Sequence, residues 1–214
     1  LIFDAEIFKD MVKQTSFAAS VDESKGVLVG VLTEIHPQSV SMVALDGYRL
    51  AVSTEKMNSG QENHFIISAK IINEISKIIA EDGDAEEVEI YLGKKKATFR
   101  IDTTEIVLRL MEGEYIKYRD IMPTQSTTDI VIGRAILQES IERASLLARE
   151  GKNNLIKMTI KNNLLTITSR SEEGNVKEEI IMEKEGEDLE IGFNSKFVID
   201  VLKVIDDDEI SMHF

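Results

Sequence analysis

The chain has 214 residues, of which 43% are hydrophobic and 30% are charged, a composition typical of a globular protein with one or two sizeable cores. No apolar run approaches the roughly 20 residues that a bilayer-spanning helix needs, and the absence of cysteine excludes disulfides and thiolate chemistry. The net charge of −14 argues against a protein that wraps nucleic acid over its whole surface, but it allows cations confined to one surface. Leu1 shows no signal-peptide pattern, and the missing initiator Met indicates a trimmed chain. The lack of cysteine allows a cytosolic origin, and we expect a cytoplasmic location.

The first predicted elements are a helix and a set of strands. Asp4 is the expected N-cap of a helix with one apolar face, formed by Ile7, Phe8, Met11, Val12 and Ala18. A strand is predicted around residues 26–34. Residues 40–52 predict a hairpin, because Asp46-Gly47 separates two apolar runs and favours a type I′ turn with positive φ at both central residues.

Tyr48, Arg49 and Leu50 follow this turn in succession. On a strand, Tyr48 and Leu50 share one face and Arg49 takes the other. An apolar surface formed by Tyr48 and Leu50, with the cation Arg49 beside it, is suited to binding a peptide or a ligand. It is equally typical of a sheet edge whose arginine is ion-paired, and both interpretations stay open at this point.

A second helix is predicted over residues 68–80, with Ser68 as its N-cap and Ile71, Ile72, Ile75, Ile78 and Ile79 on its apolar side. Strands are predicted over residues 88–92, 97–102 and 105–111. The same order of elements then begins again near Thr124.

The second copy starts with a helix over residues 134–150, whose inward residues are Ile136, Leu137, Ile141, Ala144, Leu147 and Ala148. The later predicted elements are strands over residues 155–160, 164–169, 176–183 and 189–193, and a helix over residues 194–205. Residues 66–79 align without gaps with residues 192–205, and residues 88–91 are matched with residues 209–212. The sequence therefore predicts two tandem α+β domains, residues 1–123 and 124–214, each with two helices packed on antiparallel sheet.

Cations recur on the predicted helices. Lys70 and Lys77 share one face of the second helix, and Lys196 and Lys203 occupy the matching positions of its counterpart. In the third helix, one strip carries Arg134, Gln138, Ser145, Arg149 and Lys152. A charged strip is usually solvated surface. Its repetition on corresponding helices also favours helices that together line an anionic partner.

Several motifs resemble one family, the bacterial DNA sliding clamp, which is the beta subunit of DNA polymerase III. Residues 17–20, 28–32 and Ala44-Leu45-Asp46-Gly47-Tyr48-Arg49-Leu50-Ala51 are similar to its second domain. Residues 113–123 resemble its inter-domain segment, and residues 143–149 and 191–202 resemble its third domain. The resemblance covers the whole chain and implies the DNA-clamp fold, without the family's first domain and without the end of its third.

The resemblance implies a head-to-tail homodimer that forms a ring around double-stranded DNA, with helices lining the hole and sheets outside. Phosphate contacts in such a ring are weak and independent of sequence, which allows sliding. The cations that the resemblance assigns to the DNA-facing side are Lys9, Lys13, Lys25, Lys70, Lys77, Arg134, Arg149, Lys152, Lys196 and Lys203. Residues 21–27 match a DNA-contacting loop, but they lack the aromatic residues found in some members.

The resemblance also implies a hydrophobic groove between the second and third domains, which takes short linear peptides from polymerases, the clamp loader and repair proteins. The groove residues carried over are Leu28, Leu45, Gly47, Tyr48, Arg49, Leu50, Ile116, Ile121, Asn194 and Phe197. Ile116 stands where the family often has proline and Leu45 where it often has threonine. The family's groove also uses its extreme C-terminus, which this chain lacks.

Other classes of function find little support. His36, His64 and His213 lie far apart, and no phosphate-binding glycine loop or nucleophile motif is present. The acidic residues 206–209 resemble a solvated loop more than a divalent-metal site. We therefore predict a non-catalytic processivity factor of DNA replication that needs no metal or cofactor, an accessory subunit of a DNA-directed DNA polymerase. The alternative is a clamp-like scaffold that docks peptides without encircling DNA.

Overall fold

The computed structural model describes residues 1–82, 85–149 and 152–214, without the side chains of residues 82 and 152. It divides into two compact units, Leu1–Asp120 and Ile121–Phe214. This division falls a few residues before the predicted boundary at 123/124. Within the described ranges, no helix is long and apolar enough to cross a membrane.

Unit 1 combines two antiparallel sheets with two helices. Its elements are β1 (Ile2–Asp4), α1 (Ala5–Thr15), β2 (Gly30–His36), β3 (Ser39–Leu45), β4 (Leu50–Lys56), β5 (Asn63–Ser68), α2 (Ala69–Asp82), β6 (Glu87–Leu92), β7 (Lys96–Ile101) and β8 (Thr104–Arg109). One sheet has the strand order β4-β3-β2-β5 and the other β1-β6-β7-β8. Short 3₁₀ turns occupy Ser16–Ala18, Glu23–Val29 and Tyr118–Asp120.

The main core of unit 1 lies between the two helices and one face of each sheet. Phe8 of α1 contacts Phe3 and Phe99 edge-on, with ring centroids 5.7 and 6.0 Å apart, the geometry that aromatic quadrupoles favour. Alternate residues of each strand supply the remaining contacts, such as Val88 and Ile90 of β6. The helices are therefore held by their apolar faces rather than by intrinsic helix propensity.

For two residues, the prediction that they lie on the buried face of a helix is wrong. Asp4 does cap α1, since its Oδ1 accepts a hydrogen bond from the Ile7 N–H at 3.0 Å. Ile7, however, is 40% exposed and Ile71 of α2 is 39% exposed, because both lie at the border of the apolar stripe. Ala18 is buried, but it lies in the 3₁₀ turn after α1 rather than in the helix.

Unit 2 repeats this architecture. Its elements are β9 (Thr128–Gly133), α3 (Arg134–Ala148), β10 (Leu155–Lys161), β11 (Leu164–Ser171), β12 (Gly174–Ile181), β13 (Glu183–Gly186), β14 (Leu189–Asn194), α4 (Ser195–Leu202) and β15 (Glu209–His213). The sheet β12-β11-β10-β14 has the same order as β4-β3-β2-β5 in unit 1. The pair β9-β15 likewise matches the pair β1-β6, and β13 adds to the other edge of β9.

The strand registers correct one predicted correspondence. Asp4 pairs with Glu87 immediately before α1, and Gly133 pairs with Glu209 immediately before α3. Glu209 is thus the counterpart of Glu87, one residue before the predicted Val88. The difference matters because a shift of one residue turns every side chain of a strand to the opposite face.

The hairpin at residues 40–52 does not contain the predicted type I′ turn. Leu45 pairs with Leu50, so residues 46–49 form a four-residue connection in which Gly47 has a φ of 97° and Asp46 does not have a positive φ. The Asp46 carboxylate causes this difference, because its Oδ1 accepts hydrogen bonds from the Tyr48 and Arg49 N–H groups at 2.9 and 3.0 Å. Tyr48 consequently lies in the connection and does not share a strand face with Leu50.

Three further predictions about elements need correction. Residues 26–29 belong to the 3₁₀ turn Glu23–Val29, in which Gly26 has a φ of 59°, and the strand begins only at residue 30. Ile136 of α3 is 49% exposed rather than inward, and Ser145 is buried rather than on a charged strip. The Ser145 hydroxyl donates to the Glu142 carbonyl at 2.7 Å. The predicted last residue of this helix, Glu150, lies outside the described residues.

We predict that Phe99→Ala destabilises unit 1 by about 3–5 kcal/mol, because it removes a fully buried ring that α1 packs against. Hydrogen exchange in rising urea, followed by mass spectrometry, measures this loss separately for peptides of each unit. Val107→Ala is the matched control on β8, where the side chain is exposed, and we expect a change within about 0.5 kcal/mol. Equal loss of protection in peptides of unit 2 would contradict the division into two units.

Candidate functional site

A second apolar cluster of unit 1 lies on the face of the sheet β4-β3-β2-β5 that points away from the main core. Strand alternation separates the two faces: Met42 and Ala44 of β3 enter the main core, whereas Val43 and Leu45 enter the second cluster. The residues of this outer-face cluster are Leu32, Val43, Leu45, Ile66, Tyr115 and Tyr118, with Val27, Leu28, Leu50 and Met111 partly buried against them. An apolar outer face is unusual for an antiparallel sheet, which normally exposes polar residues there.

Residues 113–120, which follow the last strand of unit 1, lie across this cluster. The Tyr115 hydroxyl donates to the Gly30 carbonyl at 3.2 Å. The Tyr118 hydroxyl donates to Glu34 Oε2 at 2.8 Å, and the Arg119 guanidinium contacts both Glu34 oxygens at 3.1 and 2.6 Å. A forked arginine–carboxylate contact of this kind fixes orientation as well as adding energy. The segment is therefore a folded part of unit 1.

Burial and hydrogen bonding shift the pKa values of these groups. Burial raises the pKa of Tyr115 to about 12. Burial, with the hydrogen bond to Glu34, raises the pKa of Tyr118 to about 12. Burial alone would raise the pKa of Glu34, but the hydrogen bonds from Arg119 and Tyr118 outweigh it and hold that pKa below its usual 4.5. At neutral pH the tyrosines are thus neutral donors and Glu34 is a charged acceptor.

The predicted groove residues of unit 1 divide into two groups. Leu28, Leu45 and Leu50 meet in the outer-face cluster, where Leu45 is fully buried. Tyr48 is 86% exposed and Ile116 is also exposed, beside an open cavity of about 340 Å³ that Ile116 and Tyr118 help to line. Leu28, Leu45 and Leu50 therefore form an apolar floor, whereas Tyr48 and Ile116 project into solvent.

Arg49 has fixed partners within unit 1. Its Nε lies 3.1 Å from Asp46 Oδ2, its Nη2 donates to the Phe17 carbonyl at 2.8 Å, and its guanidinium lies over the Phe17 ring at 5.4 Å from the centroid. Arg49 ends the 46–49 connection, directly before the edge strand β4. An ion-paired arginine beside a sheet edge, one of the two interpretations of the sequence, is therefore present.

The remaining groove residues belong to unit 2. Asn194 caps α4, since its Oδ1 accepts a hydrogen bond from the Lys196 N–H at 3.0 Å. Phe197 lies partly buried on α4, and Ile121 is exposed at the start of the unit. Their combination with the residues of unit 1 in one groove stays a prediction.

In unit 1, the predicted DNA-facing lysines lie on α1 and α2 or in the 3₁₀ turn Glu23–Val29. Lys9 pairs with Glu6 at 2.7 Å, Lys77 with Glu74 at 2.7 Å, and Lys70 with Glu23 at 2.9 Å. Lys13 and Lys25 are exposed. Exposed ion pairs contribute little to stability, so an incoming polyanion can replace their carboxylates at small cost.

In unit 2, Lys196 pairs with Asp200 at 2.7 Å, and Arg149 and Lys203 are exposed at the ends of α3 and α4. Arg134 is less available, because its Nε donates to the Asp207 carbonyl at 3.0 Å and its Nη1 to Gln138 at 3.2 Å. The side chain of Lys152 lies outside the described residues. The assignment of all these cations to a DNA-facing surface stays a prediction.

The acidic residues 206–209 hold the start of α3 through their backbone. The Asp208 carbonyl accepts from the Arg134 N–H at 2.8 Å, beside the Asp207 contact described above. In the part of the chain that the structure describes, no group of three or more histidines and carboxylates is arranged to hold a metal. His36 and His213 pair separately with Glu62 and Asp129.

The contact of Glu34 with Tyr118 and Arg119 was not predicted from the sequence. The partners are about 85 residues apart, and no periodicity joins them. The available signal was the spacing of Tyr115 and Tyr118 in a segment without strand alternation, because two aromatic residues in a polar connection need an apolar surface to cover.

Two family profiles match the chain. The central domain of the DNA polymerase III beta subunit matches residues 3–117, and the C-terminal domain of the same subunit matches residues 119–214. Among curated relatives, the beta sliding clamp of Staphylococcus epidermidis is 37% identical over 212 residues, which is 98% of this chain and 56% of that protein. The beta sliding clamp of Staphylococcus aureus is 35% identical with the same coverage.

Solved structures agree with the profiles. The DNA polymerase sliding clamp from Bacillus subtilis superposes with a TM-score of 0.95 at 32% identity, over 100% of this chain and 57% of that one. The DNA polymerase III beta subunit from Thermotoga maritima gives a TM-score of 0.94 at 32% identity, over 100% and 58%.

The chain belongs to the DNA polymerase III beta subunit family, the beta sliding clamps. It spans about half the length of the curated relatives that it matches. The predicted family and the predicted α+β clamp fold are therefore confirmed. The family is a non-catalytic accessory factor of DNA polymerase III, in agreement with the prediction that the chain is not itself an enzyme.

We predict that Glu34→Gln loosens residues 113–120 by about 1 kcal/mol, because it removes the charge that Arg119 contacts while keeping the shape of the side chain; the figure allows for solvent screening of the half-exposed guanidinium. Hydrogen exchange of the amides in this segment should quicken about fivefold. The pKa of Tyr118 should fall toward its ordinary value, which spectrophotometric titration of the tyrosines measures.

The pH dependence follows from the lowered pKa of Glu34. The contribution of this carboxylate is complete above its unfolded pKa near 4.5 and is lost as the pH falls through the lower folded value, so acidification should bring the natural protein toward the variant. Glu55→Gln, at an exposed site on β4, is the control. Unchanged exchange in Glu34→Gln would show that the segment is held by Tyr115 and Tyr118 packing alone.

Proposed function

We propose that the chain is part of a processivity factor that encircles double-stranded DNA as a head-to-tail homodimer and tethers a replicative polymerase to it. The observation that carries this proposal is the repeat: two units share one sheet order, and the paired helices of each carry lysines or arginines on their exposed surface. Membership of the beta sliding clamp family supports it. The expected setting is DNA replication in the cytoplasm.

The charge distribution suits a ring that is held on DNA by closure rather than by strong attraction to the phosphates. With a net charge of −14, the protein repels DNA over most of its surface, and only local groups of cations attract phosphate. Four of the helix lysines are paired with carboxylates of their own chain, so each phosphate contact that they make is weak; these are Lys9, Lys70, Lys77 and Lys196. A ring with such a lining stays on DNA because it is closed, and it reads no sequence.

We propose that the outer-face cluster of unit 1, together with Ile121, Asn194 and Phe197 of unit 2, binds short apolar peptides of the polymerase, the clamp loader and repair proteins. Leu28, Leu45 and Leu50 supply an apolar floor, and exposed Tyr48 and Ile116 supply side chains that a peptide can cover. Arg49 holds its loop in place through Asp46 and the Phe17 carbonyl. Buried apolar anchors of this kind dominate the affinity of small interfaces.

The groove prediction is tested with a fluorescein-labelled peptide that ends in Leu-Phe, titrated into the intact protein. We expect Leu50→Ala and Tyr48→Ala each to weaken binding about tenfold, because each removes apolar surface that the peptide would bury. Val107→Ala, on the other sheet of unit 1, should leave the affinity within about twofold. Unchanged affinity in both groove variants would remove the site assignment.

Encirclement is tested by loading the intact protein onto nicked circular DNA and then linearising the DNA. A closed ring remains on the circle and leaves through the free ends, so the bound fraction should fall to background after cutting. Retention on linear DNA would indicate a phosphate-binding patch instead. Failure to remain on the circle, with peptide binding intact, would favour a clamp-like scaffold that docks peptides without encircling DNA.

A further inference from the structure

The outer face of the sheet β12-β11-β10-β14 in unit 2 is the counterpart of the face that carries the outer-face cluster in unit 1. The registers fix the correspondence, because His36 pairs with Ser39 at the β2–β3 turn as Lys161 pairs with Leu164 at the β10–β11 turn. Several residues on this face are apolar in unit 1 and polar or positively charged in unit 2. Leu32, Val43, Leu45, Leu50 and Val52 of unit 1 correspond to Lys157, Thr168, Arg170, Asn175 and Lys177 of unit 2.

These polar residues line one open cavity of about 660 Å³. Lys157 lies opposite Thr168, Thr168 lies opposite Lys177, and Arg170 lies opposite Asn175, so three cations from three adjacent strands converge. Ser169 lies between Thr168 and Arg170 on β11, but strand alternation turns its side chain to the inner face, as for its counterpart Ala44 in unit 1.

The cations of this basic cavity are available to a ligand. Lys157 pairs with Glu190 at 2.9 Å and Lys177 pairs with Glu179, but both pairs are about half exposed and therefore weak. Arg170 is exposed and makes no ion pair or hydrogen bond with any described residue. A ligand with carboxylates can displace the weak pairs and also occupy the forked guanidinium of Arg170.

We propose that this cavity binds an extended acidic segment of a partner protein. Unit 1 shows what the equivalent face accepts, since residues 113–120 of its own chain lie across it and place Arg119 on the acidic Glu34. In unit 2, Thr159 stands at the position of Glu34, and Lys157, Arg170 and Lys177 replace two leucines and a valine. The single carboxylate of the unit 1 face binds an arginine of the segment that covers it, so we expect three cations on the unit 2 face to bind a segment with carboxylates.

A peptide fits the lining better than nucleic acid does. The residues around the cavity include no aromatic ring, so unpaired bases would have no stacking platform. Exposed Leu155 and the two threonines Thr159 and Thr168 offer apolar and hydroxyl contacts to side chains instead. The net charge of −14 also repels a long polyanion more strongly than a short segment with a few carboxylates.

The experiment measures fluorescence anisotropy of a fluorescein-labelled, glutamate-rich decapeptide with the protein at physiological ionic strength. We expect the double variant Arg170→Glu/Lys177→Glu to weaken binding at least about tenfold, because it replaces two attractions with two repulsions. Lys161→Glu is the matched control, since Lys161 lies on the same face of β10 but does not line the cavity, and it should change the affinity less than about twofold.

Three results would overturn the proposal: no saturable binding of the acidic peptide, equal affinity in the double variant, or tighter binding of a single-stranded oligonucleotide that depends on the same two residues. The last result would assign the cavity to nucleic acid. The groove variant Leu50→Ala separates this proposal from the proposed function, because acidic-peptide binding should be unchanged in it even where binding of the Leu-Phe peptide is lost.

Discussion

Each unit depends on the burial of one face of its sheets beneath a pair of helices. In unit 1, α1 and α2 cover the inner faces through Phe8 and its neighbours, and in unit 2, α3 and α4 do the same above Ile156 and Met158. This burial removes the apolar side chains of the inner faces from water, and the core that results does not depend on the residues of the outer faces. The inner arrangement is therefore common to both units, whereas the outer faces are free to differ.

The outer faces are where the two units differ. In unit 1 the face is apolar and is largely covered by residues 113–120, which Glu34 fixes through Tyr118 and Arg119. In unit 2 the equivalent face is basic and open. One sheet order thus presents two chemistries, so the outer faces give the two units surfaces suited to different partners.

Periodicity predicted most of the helices and strands, because burial of one face imposes a repeat that the sequence displays. It failed where a side chain, rather than a pattern, decides the backbone: the Asp46 carboxylate builds a four-residue connection in place of a type I′ turn. It also failed at the borders of apolar stripes, where Ile7 and Ile71 are too exposed to count as core. Periodicity could not predict how residues 113–120 are anchored, because Glu34 and Arg119 come together only once the sheet has formed.

The ion pairs of the helix lysines have a consequence for the proposed movement along DNA. Lys77 and Lys196 each hold a carboxylate one turn away, so the protein supplies its own counterions. In the proposed ring, an arriving phosphate would displace a tethered glutamate or aspartate, which would return when the phosphate left, and few mobile ions would be released. Transfer from one phosphate to the next would then be nearly isoenergetic, with a shallow dependence on salt.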